Sequence, residues 1–188
     1  MRTKREFYKE YTDLVKKHIR AMKDKTDALH EIDEKEEMKI YDNNMLNNQR
    51  ARIKQEMADL AVLNEKECKA LCDDYIVELS KASALNGEDI TPDAKLLNAG
   101  VKLDAKDLKS IIDRNNDNIT MTKLVLRYAD EHDVDIGLTY HDPYEDTIRI
   151  VSGLPYSSKV AEKWFEKDSV YEQIFGEQSE STRYFMSE

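Results

Sequence analysis

Through the first 86 residues the apolar and weakly polar positions recur in steps of three and four. Phe7, Tyr11, Leu14, His18 and Met22, then Leu29 and Ile32, run down one side of a helical projection. Ile53, Met57 and Leu60, then Cys68, Leu71, Tyr75, Leu79 and Ala82, do the same. Such steps mark a stripe on one face of a helix, not an all-round buried helix. The stripe keeps no strict heptad register over three or four repeats, so the pattern does not specify a parallel coiled coil. The stretch contains no Gly and no Pro, where average usage would place about ten. Strong helix formers fill it instead: Lys, Glu, Ala, Leu, Met, Gln and Arg.

Two interruptions divide the stripe. Asp33-Glu34-Lys35-Glu36-Glu37 has no apolar residue, and Asn43, Asn44, Asn47 and Asn48 crowd into six positions. Asn competes for backbone hydrogen bonds and favours caps and turns. The pattern therefore predicts helices over about 4–41 and 45–85, their stripes facing in an antiparallel hairpin. The rival is one uninterrupted, coiled-coil-like rod of roughly 120 Å at 1.5 Å rise per residue. A lone helix with so thin a stripe buries too little to be stable. The stripe needs cover from its own second arm, another copy or another protein. Its interaction residues are Phe7, Tyr11, Leu14, Met22, Ile53, Met57, Leu60, Leu71, Tyr75 and Leu79.

From Asn86-Gly87 onward the elements shorten. Thr91-Pro92 reads as a cap with Pro at the first helical position, opening a short helix over 93–99 that stops at Gly100. Asp104 caps 105–114, a turn falls at 115–118, and Thr120 caps 121–132. Leu96, Leu97, Val101, Leu103, Leu108, Ile111, Ile112, Ile119, Met121, Leu124, Val125, Leu126 and Tyr128 supply a small core. Beyond it, 134–144 reads as loop. The β-branched alternation of 147–151 reads as a short strand, paired with 136–140. Ser157 or Ser158 opens a helix over 159–166 bearing Val160, Trp164 and Phe165, and Asp168 opens another over 169–175, stopped by Gly176. The tail is polar apart from Tyr184-Phe185-Met186, a cluster of the kind that docks loosely or serves as a recognition tip. The expected fold is mainly α. A long helical hairpin or rod (1–86) precedes a compact three-helix unit (87–133). A final part (134–188) holds loop, at most one short β-ribbon, two short helices and a polar tail.

Charge and composition narrow the function. The chain has 29 Lys and Arg against 39 Asp and Glu, a net charge of −10. Residues 87–188 hold 21 acids against 12 bases, whereas 1–25 is locally basic. Phosphate repels the acidic half, so the chain is a poor nucleic-acid binder outside its N-terminal tip. Phe7, Tyr8 and Tyr11 lie between the basic residues of that tip, where aromatics can stack on bases; at helical spacing they serve the apolar stripe first. Five Gly in 188 residues argue against Gly-turn-rich folds such as a β-sandwich or a dinucleotide-binding sheet. No apolar run approaches the ~20 residues of a spanning helix, and 1–17 lacks the apolar segment of a secretory signal. Cys68 and Cys72 share a helix face as small core residues, which suits a reducing cytoplasm.

Chemistry-bearing clusters are sparse. Asp113, Asn115 and Asp117 open like a calcium loop, but its sixth position is Asn118 and its twelfth Leu124, where Gly and a bidentate Glu belong. Asp-Asn clusters of this kind serve equally as turns between capped helices. His132, Asp133, Asp135 and His141 are the densest set of ligand types; two imidazoles and two carboxylates could meet on one divalent metal in a hydrolase. The plainer reading is a helix end followed by a polar loop. No G-x-S-x-G, phosphate loop or dinucleotide turn occurs, and His18 and His30 sit on the long helices. The expectation is a non-enzymatic protein without cofactor.

The run 93–100, then Leu103, Asp107-Leu108, 117–124 and 128–132, resembles a segment in small structural-module proteins of tailed bacteriophages of Gram-positive hosts. It covers about a fifth of the chain. The charged helical stretch before it is similar in character to phage head-assembly and scaffolding proteins; the possible ribbon in 134–188 departs from a minimal scaffold. The resemblance implies a virion assembly protein in the bacterial host cytoplasm or the virion. It implies self-association into a homo-oligomer and docking on a phage structural protein such as capsid or portal. The alternative is a small acidic anti-defence protein mimicking nucleic-acid charge. The acids alternating with Lys and Arg on the helices weaken it.

Overall fold

The computed structural model describes every residue except 40, 41, 164–167 and 188. The protein is mainly α, with no strand among the described residues. In chain order these form α1 (Lys4–Glu37), α2 (Asn43–Ser83), a 3₁₀ turn at Gly87–Asp89, α3 (Ala94–Leu97), α4 (Ala105–Arg114), α5 (Ile119–Glu131), α6 (Glu145–Lys163), α7 (Asp168–Phe175) and α8 (Glu180–Met186). Packing groups the chain into two units: Met1–Glu78 with Ile148–Glu188, and Leu79–Thr147.

In the first unit α1 opens with a capping box. The Glu6 N–H donates to Thr3 Oγ1 at 3.2 Å and the Thr3 N–H donates to the Glu6 carboxylate at 2.9 Å, satisfying two otherwise orphaned donors. Asp42 caps α2 with its side chain alone, its Oδ1 accepting from Asn44 N–H at 2.7 Å. With Asp42 as the cap, the Asn cluster falls inside the first turns of α2. The two helices run antiparallel. Phe7 stacks on Tyr75 with centroids 4.2 Å apart, His18 Nε2 meets Glu67 at 2.8 Å, Lys25 meets Glu56 at 2.6 Å and Arg50 meets Asp33 at 2.7 Å. Partner numbers fall as α1 numbers rise, which makes a hairpin and excludes the continuous rod. Tyr41, the expected end of the first helix, lies outside the described residues.

The expected strand at 147–151 is not formed: those residues belong to α6. Local β-branched alternation is overridden by a longer period. Thr147, Val151, Leu154, Ser158 and Ala161 are all buried, in steps of four, three, four and three, so one helical face carries the burial. Pro155 sits inside α6, where it removes one helical donor. Of the helix expected over 159–166, Trp164 and Phe165 lie outside the described residues.

The tail is also ordered differently from expectation. Ser179 caps α8, its Oγ accepting from Thr182 N–H at 3.1 Å. Phe185 is only 1% exposed, stacked on Tyr8 at 4.8 Å and tilted against Phe7 at 5.8 Å. Tyr8 and Thr182 share a hydroxyl–hydroxyl bond of 2.8 Å. The C-terminal helix thus completes the aromatic core at the open end of the hairpin, each such ring contributing on the order of 1.5–3 kcal/mol of burial.

The second unit is built around Leu103, Leu108, Ile111, Met121, Val125, Tyr128 and Ile136. Asp104 caps α4 in a capping box with Asp107, as its position predicts. The cap of α5 is Asn118, two residues earlier than expected. Its Oδ1 accepts from Met121 N–H at 2.9 Å, while Thr120 Oγ1 is buried and accepts from Asn86 N–H at 3.0 Å. Leu96 and Val101 were expected in the core but are 43% and 58% exposed. They flank Gly100, whose φ of 66° turns the chain away after α3.

Candidate functional site

The stripe is the seam between α1 and α2. Phe7, Tyr11, Tyr75 and Leu79 are fully buried; Leu14, Met22, Ile53, Met57, Leu60 and Leu71 are only half-buried. Leu14 and Leu71 lie in the open-end half, so the difference follows position only in where the fully buried residues concentrate. Near the open end, Phe175 and Phe185 reach Tyr11 and Tyr8 and close the core. Toward the hairpin tip, Met22, Leu29, Ile53, Met57 and Leu60 are all half-buried, and among the described residues only Ile32 and Leu46 are fully buried there. Two helices in contact cover only part of each other's apolar stripe.

Polar groups also enter the seam. His18 is 3% exposed and bonded to Glu67. Asn64 is fully buried, and neither end of its amide has a hydrogen-bond partner among the described residues. Cys68 and Cys72 are free thiols in the core; burial, with the neighbouring Cys68, pushes the Cys72 thiol up to about 12. A thiol held protonated in this way is neither nucleophile nor metal ligand. Tyr8, Val15, Ile19 and Asn64 are core residues the stripe omitted, although Tyr8, Val15 and Ile19 keep the helical spacing one step to the side.

The ligand-type residues of the second unit are spent locally. Asn115 ends α4, its amide donating to Asp93 and to Ile111 O, each at 2.8 Å. Asp117 takes a left-handed φ of 67° and Asn118 caps α5. The calcium-like sequence is therefore a turn. His132 stacks on Tyr128 at 3.9 Å with its Nδ1 2.9 Å from Tyr128 O. Asp133 has φ 51°, and Asp135 Oδ1 accepts from Gly137 N–H at 2.8 Å. His141 lies in the loop before α6. The fold does not bring the four together: among the described residues no group of three or more His, Cys, Asp or Glu is placed to hold a metal.

No described helix is long and apolar enough to cross a membrane. Comparison with family models, with curated proteins and with solved structures finds no match to this chain.

Proposed function

We propose that this chain is a non-enzymatic assembly protein of a bacteriophage particle, acting in the host cytoplasm or the virion. Its helical hairpin self-associates, and its Leu79–Thr147 unit docks on a structural partner such as capsid or portal. The observation that carries the reading is the half-buried seam between Met22 and Leu60, beside an open end where Phe7, Tyr11, Tyr75 and Leu79 are fully buried. A second hairpin laid antiparallel on the first would cover that seam, as in four-helix bundles. The likeness of 93–132 to phage structural modules supports the choice of particle.

Sedimentation velocity over a hundredfold concentration range tests the reading. Self-association that Met57→Asp abolishes supports it. A monomer at every concentration, with no co-sedimentation on capsid or portal protein, overturns it.

A further inference from the structure

The second unit carries an apolar groove that its own core does not use. It is an open cavity of about 520 Å³ between α4, α5 and the loop 138–144, walled by Ile112, Ile119, Leu126, Leu138, Tyr140 and Tyr144. Its size falls within the range of sites that hold a few side chains or a small ligand. The loop is tied down. Asp142 bonds Ser83 Oγ and accepts from Tyr144 N–H at 2.9 Å. Lys123 donates to Ser83 O at 2.5 Å and sits 5.0 Å over the Tyr140 ring. The groove is therefore preformed, which lowers the ordering cost of binding.

The apolar walls call for apolar side chains, and charge says what flanks them. Residues 79–147 hold 14 Asp and Glu against 8 Lys and Arg. Asp117 lines the groove, and Asp113 and Glu145 adjoin its wall residues in sequence; all three are exposed and form no ion pair among the described residues. Lys123, the cation against Tyr140, is engaged by Ser83.

We infer that this groove docks a short amphipathic segment of a partner protein, with aliphatic or aromatic side chains entering the cavity and Lys or Arg on its flanks. The inference rests on reading the unit as a docking module and names the chemistry of what it docks. The chain's own basic stretch does not meet the description, because Phe7, Tyr8 and Tyr11 are already buried within their own unit. Charge complementarity would steer the encounter and the apolar contacts would hold it.

The test is a titration of the full chain against a labelled 16-residue helical peptide of leucine, phenylalanine and lysine, read by fluorescence anisotropy. A matched peptide with glutamate for lysine is the control. The basic peptide should bind and the acidic one should not. Leu138→Asp, at a half-exposed position that leaves the core alone, should weaken binding by more than about tenfold, as expected at a central contact. Asp117→Asn keeps a residue that tolerates the left-handed turn; it should weaken binding and flatten its salt dependence, whereas Asp130→Asn on exposed α5 should not. Binding unchanged in Leu138→Asp means charge attraction alone and overturns the inference, as does no binding. Sedimentation of the same samples reports hairpin self-association separately, so failure of either reading is visible without the other.

Discussion

Removing one ring tests whether the C-terminal helix is part of the core. Phe185 is 1% exposed and touches Tyr8, Phe7 and Tyr184 at centroid distances of 4.8, 5.8 and 5.2 Å. Truncating a buried Phe to Ala costs about 3–5 kcal/mol, from lost transfer energy plus the cavity left behind. A seven-residue terminal helix can shift to fill part of that cavity, which places Phe185→Ala near the lower end, about 3 kcal/mol. At roughly 2–4 °C per kcal/mol for a chain of this size, the thermal midpoint should fall by about 6–12 °C. Urea denaturation followed by far-ultraviolet circular dichroism gives the free energy, and heating gives the midpoint. Met186→Ala, next door at 42% exposure, should stay within about 0.5 kcal/mol. A loss below about 1 kcal/mol for Phe185→Ala, or equal losses for the two variants, would mean that α8 does not seal the aromatic core.

Three further outcomes follow from named groups. Asn64→Leu replaces a buried, unpartnered amide with an apolar side chain of the same branching but larger volume; relief of the unpaired amide outweighs the crowding, so it should stabilise by about 1 kcal/mol in the same urea assay, and a loss of more than about 3 kcal/mol, beyond what crowding costs, would show that the amide is satisfied. Cys68 and Cys72 should resist a thiol-specific reagent in the folded protein and react together on unfolding, since both are buried and the Cys72 thiol is raised to about 12. The Arg2 backbone N–H and guanidinium hold the Glu78 carboxyl below its ordinary 4.5, and Lys25, with Arg52, does the same for Glu56. Groups depressed in the folded state add stability above the unfolded value and lose it as pH falls through the folded one. The thermal midpoint should therefore drop below pH 4.5, and Glu78→Gln should flatten that drop.

The hairpin was legible because its evidence is long. Eighty-six residues without Gly or Pro and a three-and-four stripe outweigh local accidents. The helix limits shifted by only a few residues, to Lys4–Glu37 and Asn43–Ser83, because Asp42 took the capping role. Short windows misled. Thr147-Ile148-Arg149-Ile150-Val151 alternates like a strand over five residues, yet the buried series from Thr147 to Ala161 is helical over fifteen, and Gly153 with Pro155 hid it. Phe185 lies in a seven-residue helix, too short for periodicity to show. The groove could not be read at all, since its walls come from positions between 112 and 144 that only folding brings together.

The polar groups in the hairpin seam bear on how it pairs. An all-apolar seam would let α1 slide along α2 with little penalty, since hydrophobic burial is non-directional. Here His18 must meet Glu67, Lys25 must meet Glu56, and Arg50 must meet Asp33 and Glu36. A slip of one turn would leave a buried imidazole facing the wrong residue and three ion pairs broken. Exposed pairs contribute little to stability on their own, but an imidazole that is 3% exposed pays a desolvation cost in any other register. The in-chain register is therefore set by charge, while the apolar residues toward the tip, Met22, Ile53, Met57 and Leu60, are half-buried and gain from burial in a non-directional way. Under the proposed self-association, that division of labour would let a second copy cover the seam without moving α1 against α2.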